Sequence, residues 1–206
     1  MLLEAVNISH SYNGGSGPWA LKDISMNFET GERVAILGPS GAGKSTIAQI
    51  LAGYIKPTGG KVLLDGKEFQ PGYRPVQLIY QHPEKAVNPR LLIKDTLCEG
   101  YKPEEDLLDM LGIDRQWLER YPGELSNGEL QRICIARALG PKTKFIIADE
   151  ITTMLDVISQ VQIWNGLLDL AVKRDLGLII ITHDTALAKR VSARTVTIPS
   201  SVNNDV

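Results

Sequence analysis

Short apolar runs separated by glycine-containing turns fill the first third of the chain. LLEAVNIS, ISMNFE, RVAILG and KVLLDG have the length and turn punctuation of strands. VQLIY, ending at Tyr80, reads the same way, and Ile47–Ala52 reads as a helix. From about Val87 to Arg120 the pattern changes to polar, periodic segments such as EEDLLDMLGI, with Leu107, Leu108 and Leu111 at helical spacing and Pro103 placed to start a turn. After this helical insert come a helix over Leu130–Leu139, the strand KFIIAD, a long amphipathic helix from Val157 to Arg174 and the strand LGLIIIT. Apolar strands alternating with helices predict an α/β fold whose parallel sheet is covered on both faces.

With 206 residues, the chain is the size of one domain, or of one domain with a lobe inserted. A composition of 43% hydrophobic and 22% charged residues is that of a globular protein, and the net charge of -2 gives no support to a nucleic-acid partner. LGLIII and FIIA fall far short of the roughly 20 apolar residues of a spanning helix. MLLEAVNISH does not read as an export signal, so a cytoplasmic location is expected. Cys98 and Cys134 are too few for a disulfide scaffold or zinc site, and His10, His82 and His183 have no second ligand at metal spacing. Both cysteines are expected to be reduced, no structural metal is expected, and the polar end PSSVNNDV is expected to fray.

GPSGAGKST, Gly38 to Thr46, satisfies G-x-x-x-x-G-K-[ST] directly between a strand and a helix. Gly38, Gly41 and Gly43 let the backbone wrap phosphate with its N–H groups inward, Pro39, Ser40 and Ala42 completing the loop, and the helix adds its positive dipole end. In that geometry Lys44 reaches the β- and γ-phosphates, Ser45 is a Mg²⁺ ligand and Thr46 adds a phosphate contact. Such a loop needs an acid at the end of a neighbouring buried strand. FIIADE supplies Asp149 to hold Mg²⁺ and, one residue on, Glu150 to take a proton from an attacking water. A second anion site is expected at YPGELSNGELQR, where Leu125, Ser126, Asn127, Gly128 and Glu129 precede or open a helix.

The ordered set GPSGAGKST, Gln81, LSNGELQR, FIIADE, Leu155–Asp156 and Thr182–His183 resembles the ATPase subunit of ABC transporters, from Tyr12 to about Ile198. The resemblance implies a P-loop NTPase with a RecA-like parallel core, an N-terminal antiparallel β subdomain and an α-helical subdomain inserted at about 87–140, together making residues 1–206 one ATPase domain. It implies ATP and Mg²⁺ as ligands. It makes Tyr12 the aromatic that stacks on adenine, Gln81 a sensor of Mg²⁺ and water, and His183 a switch that contacts the γ-phosphate and steadies Glu150. Asp156 becomes an aspartate that communicates across a dimer, and it is also suited to cap the helix at Val157. The segment LSNGE would meet the nucleotide held by the opposite subunit.

Four positions depart from the family pattern: Ile151 stands where proline is usual, Met154 where a small residue is usual, and Asn127 and Glu129 make LSNGE where LSGGQ is usual. Asparagine takes the left-handed backbone that glycine permits at some cost, and it adds an amide facing the other subunit's nucleotide, so Asn127 is expected to tune closure, and Asn127→Gly to raise activity. QHPEKAVNPRLLI is similar to the oligopeptide, dipeptide and nickel importer group. That similarity implies import of peptides or nickel complexes by a head-to-tail dimer, with a different, paired ATPase subunit as partner. It also implies two membrane permeases, an extracytoplasmic solute-binding protein and a peripheral place on the cytoplasmic face of the membrane. An accessory ATPase of a carbon–phosphorus lyase complex is the alternative reading. A small-molecule P-loop kinase would have no use for LSNGELQR or His183, and a DNA-repair ATPase would need a long coiled-coil insertion.

Overall fold

Alternation decides the first strand. In β1 (Leu2–His10) Leu3 and Ala5 are buried, then a bulge at Asn7 shifts the register and Ile8 and His10 turn inward instead. β1 pairs antiparallel with β2 (Leu21–Glu29) on one side; β3 (Arg33–Leu37) leaves that sheet, and β4 (Gly59–Leu64) covers the other side of β1. This computed structural model describes residues 1–15, 17–69, 72 and 74–199, so the end of the chain beyond Pro199, where fraying is expected, lies outside the described residues.

The second sheet is parallel throughout. β5 (Val76–Ile79), β6 (Phe145–Asp149), β7 (Gly177–Ile181) and β8 (Arg194–Thr197) join β3 in the order β5-β6-β7-β3-β8. Every residue of β6 and β7 is buried, as a strand covered on both faces requires. Period-two alternation then divides the core. Phe145, Ile147, Ile179 and Ile181 face the antiparallel sheet and α1 (Lys44–Leu51), while Ile146, Ala148, Leu178 and Ile180 face the helical side. Each fully buried isoleucine here stabilises the fold by about 1.5–3 kcal/mol.

The stretch 87–140 contains α2 (Ile93–Leu97), α3 (Glu105–Met110), two 3₁₀ turns at Arg115–Glu119 and Pro122–Glu124, and α4 (Asn127–Ala138). Its apolar residues, including Leu107, Leu111 and Ile133, form one cluster with the second face of the parallel sheet and with α5 (Val157–Lys173). Cys134 is inside that cluster and burial pushes its thiol up to about 11, so it stays protonated; Cys98 is exposed, and both are free thiols.

The structure corrects three element starts and adds one helix. α1 starts at Lys44 rather than Ile47, because Gly43 turns the chain directly into the first helical residue. α4 starts at Asn127 rather than Leu130, because Ser126 caps it. Pro103 stands one residue ahead of the cap, Glu104, and does not begin α3 itself. A further helix, α6 (Thr185–Val191), has no counterpart in the apolar pattern; Asp184 starts it by accepting from the N–H groups of Ala186 and Leu187.

Candidate functional site

Parallel pairing sets the carboxyl ends of β5, β6, β7 and β3 side by side, with Ile79 beside Ala148, Asp149 beside Ile181, and Ile36 beside Ile181. Whatever follows those ends converges at one rim of the sheet, where open α/β sheets bind their ligands. Gln81 follows β5, Glu150 follows β6, His183 follows β7, and the glycine-rich loop follows β3. A cavity of about 580 Å³ opens there, lined by Tyr12, Ala20, Ser40, Gly41, Gly43, Lys44, Ser45, Thr46, Gln81, Glu150 and His183.

Within the loop, the three glycines act differently. Gly41 and Gly43 have φ of +79° and +86°. Gly38 does not need a positive φ; a Cβ on it would lie 2.9 Å from the Ile198 carbonyl oxygen. At Gly43 both demands coincide, since a Cβ would also approach the Ala20 carbonyl oxygen to 2.4 Å and Leu21 Cδ2 to 2.7 Å. Left-handed strain alone costs an alanine there about 1–3 kcal/mol. Gly43→Ala is therefore expected to lower Tm by several degrees and to weaken nucleotide binding, read by calorimetry with and without nucleotide; wild-type values in both would refute this role for the glycine.

Lys44 is buried, and its Nζ donates to the carbonyls of Gly38 and Pro39 at 2.8 and 2.9 Å, which holds the ammonium inside the loop's curve. Ala42 turns away from the cavity into the core. Tyr12 is exposed above the loop, its hydroxyl 2.9 Å from Thr46 Oγ1 and its ring edge-on to His10 at 4.9 Å. Such a ring offers a flat apolar surface beside the phosphate loop, suited to stacking on a base.

Asp149 is buried, and burial pushes its carboxyl above the ordinary range; donation from the Ser45 hydroxyl pulls it back, the neighbouring Glu150 raises it, and Lys44 lowers it. An oxygen pair of hydroxyl and carboxylate suits a hard cation such as Mg²⁺. Among the described residues no group of three or more His, Cys, Asp or Glu could hold a metal alone. Mg²⁺ keeps few protein ligands and completes its shell from phosphate and water.

Glu150 carries the most structure. Its φ is +50°, a left-handed value unusual for a residue with a side chain, and its N–H donates to the Ile181 carbonyl at 3.0 Å. The carboxylate is mostly buried, with Oε1 3.0 Å from His183 Nδ1 and Oε2 accepting from Gln81 Nε2 at 3.3 Å. Gln81 Nε2 also donates to Thr153 Oγ1 at 3.1 Å, and that hydroxyl donates to the Glu150 carbonyl at 3.0 Å. A carboxylate held on both oxygens beside a phosphate loop is arranged to accept a proton from water in the cavity.

The LSNGE segment lies elsewhere. Ser126, Gly128 and Glu129 line a different groove of about 770 Å³ with Arg132, Ser159 and Gln162, and no residue of the first cavity lines it. Leu125 packs on the helical core. Ser126 Oγ accepts from the Glu129 N–H at 3.3 Å and Glu129 Oε2 from the Ser126 N–H at 2.7 Å, a capping box that gives the glutamate a structural role at the start of α4. Asn127 does not have the left-handed backbone expected of it. It is the first residue of α4, and the non-glycine residues with positive φ among those described are Asn7, Asp23, Asp65, Glu150 and Asp175. Once Ser126 ends the extended approach, the next residue must be right-handed, so Asn127→Gly has no left-handed strain to relieve, and the backbone argument for a raised activity falls. Asp156 caps α5 by accepting from the N–H and hydroxyl of Ser159 at 3.0 and 2.6 Å. Ile151 is buried, and Met154 is exposed.

Two neighbours of the site, Ala20 and Thr153, escape sequence reasoning. Ala20 enters only because β1 and β2 fold back over the loop, which no local pattern announces. Thr153, three residues after Glu150, sits in a turn whose path the sequence does not specify. The capping box is legible as S-x-x-E.

The family model described as ABC transporter matches residues 21–153. A probable peptide ABC transporter ATP-binding protein, y4tS of Sinorhizobium fredii, is 37% identical over 195 residues, covering 85% of this chain and 55% of the relative. The dipeptide transport ATP-binding protein DppF of Lactococcus lactis is 34% identical, covering 94% of this chain and 70% of the relative. The chain thus spans little more than half the length of the first relative. The ATP-binding cassette MJ0796, solved as a dimer in a post-hydrolysis state with ADP and Pi, superposes with a TM-score of 0.83 at 27% identity, covering 97% of this chain and 95% of that one.

Proposed function

The chain belongs to the ABC transporter family, and from that premise we propose that it is the ATP-binding and ATP-hydrolysing subunit of an importer for peptides. The observation that supports this most is the division of the site. One cavity gathers the phosphate loop, Gln81, Glu150 and His183, while the Ser126–Gly128 helix start opens onto another groove. One chain then holds half of each active site, and two cassettes meet head to tail, each bringing its LSNGE helix start to the nucleotide of the other.

In this reading Tyr12 stacks on adenine, the N–H groups of the loop cradle the phosphates, and Lys44 and Thr46 contact them. Ser45, Asp149 and Gln81 hold Mg²⁺, which when bound neutralises charge on the phosphate oxygens. Glu150 takes the proton of the attacking water, and His183 holds the carboxylate in place while facing the terminal phosphate. Asp156 lies on the face that meets the second cassette.

Among the described residues no helix is long and apolar enough to cross a membrane. In this reading the subunit works on the cytoplasmic face with two membrane permeases, fed by an extracytoplasmic solute-binding protein. Peptide is the proposed cargo because y4tS and DppF are named for peptide and dipeptide transport. The departures in LSNGE and at Ile151 favour a different, paired ATPase as the second cassette. Gentle purification of the tagged chain from membranes, followed by mass spectrometry, is expected to recover permeases and a second cassette; recovery of the subunits of a lyase complex would contradict the importer reading.

A further inference from the structure

The geometry points to Thr153 as a positioning residue that orients Gln81 and braces Glu150, an inference that rests on the hydrolytic reading above. A threonine hydroxyl has one proton to give, and Thr153 gives it to the Glu150 carbonyl at 3.0 Å. Its oxygen is then an acceptor only toward Gln81. The Glu150 carboxylate is an acceptor as well. Gln81 faces both, Oε2 of Glu150 at 3.3 Å and Oγ1 of Thr153 at 3.1 Å, so its NH₂ must be the end turned toward them. Oε1, the acceptor end of the amide, is left to work in the cavity that Gln81 lines. Without the hydroxyl, one of the two acceptors that set this orientation is gone, and the amide turns over more freely.

The same residue acts on the backbone of Glu150. Both the N–H and the hydroxyl of Thr153 donate to the Glu150 carbonyl, at 3.3 and 3.0 Å. Glu150 is the one site residue with a side chain that holds a left-handed φ, +50°. Strained backbone persists where surrounding contacts over-determine it. Here those contacts are the pair from Thr153 on the carbonyl and the bond from the Glu150 N–H to Ile181. Thr153 is exposed and lines neither cavity, so it acts through Gln81 and Glu150 and not on the nucleotide.

The test compares Thr153→Val, which keeps the shape and removes the hydroxyl, with Thr153→Ser, which keeps the hydroxyl. In the assembled complex Thr153→Val is expected to lower kcat for ATP by about ten-fold with KM nearly unchanged, because a catalytic group is displaced while binding groups are not. Thr153→Ser is expected to restore most of it. In the isolated chain the side-chain amide signals of Gln81, identified by their loss in Gln81→Glu, are expected to shift in Thr153→Val and to hold in Thr153→Ser. Wild-type turnover in Thr153→Val beside an inactive Glu150→Gln would overturn this inference and leave the hydrolytic reading standing. Failure of Thr153→Ser to rescue would overturn it too, since the hydroxyl would not be the active feature. Full turnover in Glu150→Gln would bring down the hydrolytic reading itself.

Discussion

Glu150→Gln is expected to lower ATP turnover of the assembled complex by about 10²–10⁴-fold, the range carried by a positioned general base. The substitution keeps size and shape but leaves an amide that does not accept a proton from water. Lys44, Ser45 and Thr46, which line the cavity beside the glycine-rich loop, are untouched, so ATP binding is expected to survive. The comparison of binding with turnover matters because Glu150 is also structural: its backbone is left-handed and tied to Ile181, and its carboxylate holds His183 and Gln81. A glutamine retains the backbone conformation and still presents an oxygen to one partner. A loss confined to turnover assigns the carboxylate to chemistry, a loss of both assigns it to assembly of the rim, and undiminished turnover contradicts its role as base.

Much of this rim is legible in the amino-acid sequence. Strand, loop and helix around GPSGAGKST, the buried run ahead of Asp149 and the place of His183 after LGLIIIT all follow from local pattern, since burial on both faces leaves continuous apolar strands. The sequence is silent where several segments meet. Strand order puts Gln81, Glu150 and His183 within hydrogen-bonding reach although they lie 69 and 33 residues apart. The left-handed backbone of Glu150 has no local sign, for glutamate is not a residue that favours it. Asn127 shows the opposite hazard. Residue type alone favours a left-handed backbone there, whereas the cap one residue earlier decides its conformation. The hydroxyl of Thr153 acquires meaning only through the turn that aims it at Gln81.

The division of the site between two cassettes is the central claim, and Gly128 isolates it. In this chain Gly128 lies in the first turn of α4, does not hold a positive φ, and a Cβ would meet Leu155 Cδ2 at 3.6 Å and Ser159 Oγ at 3.8 Å, ordinary contact distances. A side chain is thus tolerated within the subunit, and an aspartate near a helix N-terminus is electrostatically favoured. Across the interface its effect reverses: the carboxylate would stand against the phosphates held by the other cassette, where like charges repel in a desolvated site. The direct measurement is ATP turnover of the assembled complex carrying Gly128→Asp, alongside Tm and ATP affinity of the isolated chain. A divided site predicts unchanged Tm and affinity, with turnover at the altered site reduced by about 10²-fold or more. Full turnover in the complex would contradict it.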